Sequence, residues 1–127
     1  MGRERPLILI IDDDPAICQV LEEFLRFQGY RSQCVPTGED GLAWIAEGGV
    51  GFVFLDWMLP EMSGREVLRR ITASGTAVPV VVMTAMGRRE LPDTPPGAVG
   101  LLYKPFDLDE VVALLARHGP PAGRQDR

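Results

Sequence analysis

Three successive aspartates, Asp12, Asp13 and Asp14, follow directly on the apolar run 7–11, and a second apolar run, 50–55, ends on Asp56. If both runs are neighbouring strands of one parallel sheet, these carboxylates converge where the chain leaves it, the edge at which open α/β sheets place their chemistry. Like charges gathered there repel and raise one another's pKa, so the arrangement calls for a compensating cation. Carboxylate oxygens suit a hard divalent ion, and Mg²⁺ is the expected one. Two more reactive residues end apolar runs: Thr84 after 78–83 and Lys104 after 99–103. Singly, each has a plainer use, Asp14 as a helix cap, Thr84 as a strand end, Lys104 as a solvated charge. Jointly, chance is a poor account of all of them at one sheet edge.

The set suits phosphoryl transfer onto a carboxylate, chemistry that needs little beyond positioning and neutralisation of the phosphoryl oxygens. Asp56 is the expected nucleophile, forming an acyl phosphate. Asp13, Asp56 and the backbone carbonyl of Met58 are the expected metal ligands, with Asp12 acting on the ion through water. Thr84 is expected to donate its hydroxyl to one phosphoryl oxygen, and the Lys104 ammonium to pair with another as a point charge.

Elements that would position this set are legible in the alternation of apolar runs with helix-like segments, the mark of a parallel sheet wrapped by helices. Strands are expected at 7–11, 30–35, 51–55, 78–83 and 99–103. The first helix opens with Asp14 as N-cap and Pro15 at its first position, and turns Ile17, Val20, Leu21, Phe24 and Leu25 inward. A second helix starts near Thr37 and stops at Gly48-Gly49. Capping boxes, Ser63 with Glu66 and Asp107 with Glu110, mark two more. Between them, segment 87–97 carries Pro92, Pro95 and Pro96, and a proline inside a helix costs about 3 kcal/mol, so one or two turns at most are expected there.

The chain has 127 residues and a net charge of −5. That length suits one domain, and the acidic balance argues against a nucleic-acid partner. No apolar run reaches the roughly 18 residues of a membrane span, and no signal-peptide pattern opens the chain, so a cytoplasmic protein is expected. Cys18 and Cys34 lack metal-ligand or CxxC spacing and read as reduced, core-packing thiols. Trp44 reads as packing, Trp57 as a partner-facing aromatic or a cover over the pocket, and His118 as a surface residue at a helix C-terminus. The domain is expected over 1–118, with 119–127 a flexible tail or linker stub.

The segments LILIIDDDP, FLDWMLPEMSG, VVVMTA and YKPF, in this order and spacing, resemble the receiver domains of two-component response regulators, including the chemotaxis-regulator type. The resemblance implies a flavodoxin-like, doubly wound, five-stranded parallel sheet of order 2-1-3-4-5, here with a degraded or short fourth helix. It implies Mg²⁺-dependent transfer of a phosphoryl group to Asp56 from a histidine kinase or histidine phosphotransfer protein, slow self-catalysed hydrolysis, and no other enzymatic activity. A downstream protein or fused output domain, and a phosphorylation-dependent homodimer, are the further partners it suggests. It also implies a cis peptide between Lys104 and Pro105.

Two departures from the family stand out. An aromatic residue usually lies three positions before the lysine; here that position is Leu101, while Tyr103 directly precedes Lys104 and is expected on the opposite face of the strand. Signalling is therefore expected to run through reordering of segment 87–97. Met58 and Met86, two residues beyond Asp56 and Thr84, are apolar where the family's hydrolytic water passes, which predicts a long-lived acyl phosphate or, alternatively, mere shielding of the rim. Other classes fit less well. A phosphatase with an aspartyl nucleophile would need a second aspartate where Met58 stands, and a flavodoxin-like cofactor binder would need a phosphate loop where Asp12, Asp13 and Asp14 would repel one. A phosphorylation-independent, receiver-like interaction module is the remaining alternative.

Overall fold

A computed structural model describes residues 5–122. Five parallel strands, β1 (Leu7–Ile11), β2 (Arg31–Val35), β3 (Val50–Asp56), β4 (Val80–Thr84) and β5 (Gly100–Tyr103), form one sheet of order β2-β1-β3-β4-β5. Four helices, α1 (Pro15–Phe27), α2 (Gly38–Glu47), α3 (Gly64–Ala73) and α4 (Leu108–His118), cover its two faces. This is the flavodoxin-like fold with the expected strand order.

Side chains alternate across each strand, and the sheet is apolar on both faces because helices cover both. Leu9, Ile11, Val53, Leu55, Val80 and Val82 meet Val67, Leu68 and Ile71 of α3 on one side. Ile8, Ile10, Phe52, Phe54, Val81, Met83 and Leu102 meet Leu21 and Leu25 of α1 and Val111 and Leu115 of α4 on the other. Each such side chain contributes roughly 1.5–3 kcal/mol by burial, enough in sum to hold four strand ends in fixed register.

Three local expectations need correction. Val20 of α1 is 51% exposed, not inward, because α1 buries a narrow stripe, Leu21 and Leu25, and the next residue on a helix lies about 100° away. Trp44 is 39% exposed at the rim of α2 rather than packed in the core. The box at the start of α3 is half made: Ser63 Oγ accepts from the Glu66 amide at 3.2 Å, but the Glu66 carboxylate turns outward to Arg69 at 2.7 Å and Arg70 at 2.8 Å. That bidentate alternative outcompetes the box.

Asp14 caps α1, accepting from the Ala16 amide at 2.9 Å, and Glu110 closes the start of α4 by accepting from the Asp107 amide at 3.0 Å. Between β4 and β5 the chain makes one helix-like turn, in which the Glu90 and Leu91 amides donate to the Gly87 carbonyl at 3.1 and 3.0 Å, meets Pro92, and then makes a tight turn closed by the Ala98 amide on the Pro95 carbonyl at 3.0 Å. The expected short fourth helix is thus reduced to one helix-like turn. After α4 the chain folds back, the Tyr30 hydroxyl donating to the Pro120 carbonyl at 3.1 Å. Of the tail expected over 119–127, residues 123–127 lie outside the described residues. No helix among the described residues is long and apolar enough to cross a membrane.

Candidate functional site

Pairing of β1 with β3, Ile11 opposite Leu55, brings the residues that follow them side by side at the C-terminal edge of the sheet. Carboxylate oxygens of Asp12, Asp13 and Asp56 all lie within 4.8 Å of one another. Asp12 and Asp56 are buried, at 1% and 5% exposure, while Asp13 faces solvent. Lys104, next in the chain after β5, reaches across with its ammonium 2.9 Å from Asp12 Oδ2 and 3.5 Å from Asp56 Oδ2. The Asp14 amide donates to Asp12 Oδ1 at 2.9 Å, and the Met58 amide to Asp56 Oδ1 at 3.2 Å.

Burial, and then the Asp12 charge, raise the pKa of Asp56 from 3.8 to about 6, against the pull of Lys104 and the Met58 amide. Burial alone would lower the Lys104 pKa, but its hydrogen bond and charge interaction with Asp12, and the nearby Asp56, raise it on balance. The site therefore holds an excess of negative charge around one half-buried cation. Such a donor set, three carboxylates with oxygens this close, fits an oxygen-ligated divalent ion.

Thr84 ends β4 beside it, in a strand paired to β3 with Asp56 opposite Met83, and is fully buried. Its Oγ1 accepts from the Met86 amide at 2.9 Å. The peptide bond between Lys104 and Pro105 is cis. Met58 is exposed, whereas Met86 packs against the core on the α3 side of the sheet, as does Leu101.

Tyr103 is not on the opposite face from Leu101. Residues two apart on a strand share a face, and it is Leu102 between them that points to the other core. The Tyr103 hydroxyl donates to the Leu91 carbonyl at 2.6 Å, and the Arg88 guanidinium stands 4.3 Å from its ring centroid. An aromatic side chain therefore does lie against segment 87–97, supplied by Tyr103 rather than from position 101.

Neither reading of Trp57 holds. It is buried in the core with Arg65 of α3 5.2 Å from its ring centroid. The close approach of α3 depends on Gly64, a residue that sequence reasoning passed over. A Cβ there would fall 2.5 Å from the Asp56 carbonyl oxygen and 2.6 Å from Trp57 Cα. Its signal was a glycine directly after the Ser63 cap in the loop that follows Asp56.

Cys18 and Cys34 are not reduced core thiols either. A disulfide joins them, α1 to β2, with Cα atoms 5.8 Å apart, and both residues are partly exposed. Spacing gave no warning because the pairing depends on how α1 packs beside β2.

The profile of the response regulator receiver domain matches residues 8–116. The chain belongs to this family. It is 40% identical over 114 residues to the uncharacterized transcriptional regulatory protein YkoG of Bacillus subtilis, covering 87% of this chain and 49% of that protein. It is 35% identical over 122 residues to the response regulator MprA of a Mycobacterium species, covering 91% and 53%. The receiver domain thus spans about half the length of these relatives. Among solved structures, the response regulator TrrA from Thermotoga maritima in complex with Mg²⁺-BeF superposes with a TM-score of 0.79 at 28% identity, covering 88% of this chain and 97% of that one. The receiver domain of the sensor histidine kinase PA1611 from Pseudomonas aeruginosa, with a magnesium ion coordinated in its active-site cleft, does so with a TM-score of 0.78 at 29% identity, covering 91% and 98%. The receiver domain described here is accordingly a signalling domain of a two-component system.

Proposed function

We propose that this receiver domain accepts a phosphoryl group on Asp56 from a histidine kinase or histidine phosphotransfer protein, in a Mg²⁺-dependent reaction, and passes the change on through the surface built from residues 84–104. The observation that carries this reading is the gathering of the Asp12, Asp13 and Asp56 oxygens within 4.8 Å under a single lysine. Asp12, Asp13 and Asp56, with the Met58 carbonyl, would hold the ion, and its charge when bound would neutralise phosphoryl oxygens.

Asp56 Oδ attacks phosphorus as the P–N bond to the donor imidazole breaks, and the imidazole leaves with the bonding electron pair. At neutral pH Asp56 is mostly ionised despite its raised pKa, so the nucleophile is ready. The Thr84 hydroxyl donates to one phosphoryl oxygen, and Lys104 turns from Asp12 towards another. Water later attacks the phosphorus, the P–O bond to Asp56 breaks with its electron pair returning to the carboxylate, and inorganic phosphate leaves. No other catalytic activity is assigned to the domain.

The reading places the domain, over 1–118, in the cytoplasm. Its output runs through a downstream protein or a fused domain, and the relatives named as transcriptional regulators support control of gene expression. A homodimer formed on phosphorylation is compatible with it, whereas direct nucleic-acid binding by this acidic unit is not. The test is intact-mass measurement after incubation with acetyl phosphate, with and without Mg²⁺, alongside Asp56→Ala. The expected result is a metal-dependent gain of one phosphoryl group that the variant lacks. No gain from folded protein under any condition would instead support a phosphorylation-independent interaction module.

A further inference from the structure

The Cys18–Cys34 disulfide lies directly beneath the acidic site. Cys18 Sγ is 3.4 Å and Cys34 Sγ 3.9 Å from the backbone carbonyl oxygen of Asp12. The Asp12 amide in turn donates to the carbonyl of Val35, the residue after Cys34, at 3.0 Å. Through Asp12, both sulfurs therefore touch the segment that carries the metal-ligating carboxylates. Both cysteines also line an open cleft of about 510 Å³ shared with Asp12, Asp13, Glu22 and Glu23, so reagents reach them from solvent.

We propose that Cys18 and Cys34 form a reversible dithiol–disulfide switch, oxidised by hydrogen peroxide and reduced by small or protein dithiols, that sets how tightly the Asp12, Asp13 and Asp56 cluster holds Mg²⁺. The proposal rests on the receiver reading given above, which places the domain in a reducing compartment. Disulfides that form there are characteristically transient and redox-sensing rather than permanent staples.

Oxidation changes the site in two ways. A thiol can donate its proton to the Asp12 carbonyl, and a disulfide sulfur has none to donate. The covalent bond also ties the first turn of α1 to β2, and thereby braces residues 12–14 between them. Three carboxylates held close together repel one another, so a segment that cannot spread binds a cation at lower cost than one that relaxes first. The oxidised form is the tighter binder.

Four carboxylates, Asp12, Asp13, Glu22 and Glu23, against Arg26 around the cleft favour a neutral oxidant over an anionic disulfide such as oxidised glutathione. One thiolate attacks an oxygen of hydrogen peroxide, the O–O bond breaks, and the departing hydroxide takes up a proton as water, leaving a sulfenic acid. The second thiolate attacks that sulfur, the S–O bond breaks, and a second water leaves. In sum, two thiols and one peroxide give one disulfide and two waters. A dithiol returns two electrons and two protons through a mixed disulfide.

The test compares peroxide-treated and dithiothreitol-reduced protein, each desalted, by iodoacetamide mass labelling and by calorimetric titration with MgCl₂. The expected result is no labelled cysteine in the first and two in the second, with Mg²⁺ bound about 3–10-fold more weakly after reduction, the scale of a preorganisation effect. The Cys18→Ser, Cys34→Ser double variant, checked for folding by circular dichroism, should bind like the reduced protein whether or not peroxide is added. Equal Mg²⁺ affinity in the two redox states, or failure of peroxide to close the bond, overturns the switch. Phosphorylation of Asp56 by acetyl phosphate is scored on the same samples. Its absence in both states overturns the receiver reading, whereas its presence with equal Mg²⁺ affinities overturns the switch alone.

Discussion

Lys104 donates its shorter hydrogen bond to Asp12, 2.9 Å away, and stands 3.5 Å from Asp56, the carboxylate it is proposed to serve during transfer. A divalent ion held by the same carboxylates would compete with the ammonium for Asp12. Lys104→Met keeps most of the stem and removes the charge. Without metal, three clustered carboxylates then lack their cation, and the domain should lose about 1–3 kcal/mol of stability. Mg²⁺ should bind more tightly than to the wild type and shrink that deficit. Urea denaturation in EDTA and in excess MgCl₂ checks both statements; a deficit that Mg²⁺ leaves unchanged would assign it to lost packing of the stem.

Asp56 titrates from about 6 in the folded domain against 3.8 as an unperturbed carboxyl, the rise coming first from burial and then from the Asp12 charge. The folded state holds that proton more tightly than the unfolded chain does. Its contribution to stability is therefore fully present below the unfolded value and is lost as pH rises through the folded one. Asp56→Asn keeps the shape and removes the charge, so in EDTA at pH 7.5 it should stabilise the domain by about 1–3 kcal/mol. The gain should shrink steadily as pH falls towards 4. A gain of the same size at both ends of this range would mean that the charge of Asp56 is not what costs stability.

Asp56, Thr84 and Lys104 were legible because each directly ends or follows a run of buried apolar residues, and a parallel sheet turns that local pattern into a shared edge. The two sheet faces were legible for the same reason. What escaped depended on how elements pack against each other. Val20 has the right spacing for the core, but α1 buries too narrow a stripe to include it. The bond between Cys18 and Cys34 needs the distance between a helix and a strand, which no spacing encodes. Trp57 and Gly64 owe their roles to α3 pressing on the backbone of Asp56. Tyr103 is a different matter, since two-residue alternation already puts it on the face of Leu101.

The 2.6 Å hydrogen bond from Tyr103 to the Leu91 carbonyl is a latch on segment 87–97, which has one helix-like turn and three prolines in place of a helix. Tyr103→Phe removes the donor and keeps the ring beneath Arg88. The loss should be about 0.5–1.5 kcal/mol, felt locally as faster amide exchange across 87–97 with the sheet unchanged. A phosphoryl mimic on Asp56 should also alter exchange across this segment in the wild type, because Thr84 and Tyr103 are paired in neighbouring strands. Exchange that responds to neither change would remove segment 87–97 from the signalling path.

Met58 and Met86 hydrogen-bond to the proposed phosphoacceptor machinery through their main chain, the one amide donating to Asp56 at 3.2 Å and the other to Thr84 at 2.9 Å. Their side chains can therefore be changed without breaking those bonds. Neither thioether can orient or activate a water well, and a positioned acid–base group typically contributes 10²–10⁴-fold to such a step. Met58→Asn and Met86→Glu together should accordingly shorten the acyl-phosphate lifetime, by about tenfold or more if the new groups reach the attacking water. Decay of the phosphorylated mass after removal of acetyl phosphate measures it directly. If wild type and double variant decay alike while both take up one phosphoryl group, the methionines shield the rim of the site and do not set its clock.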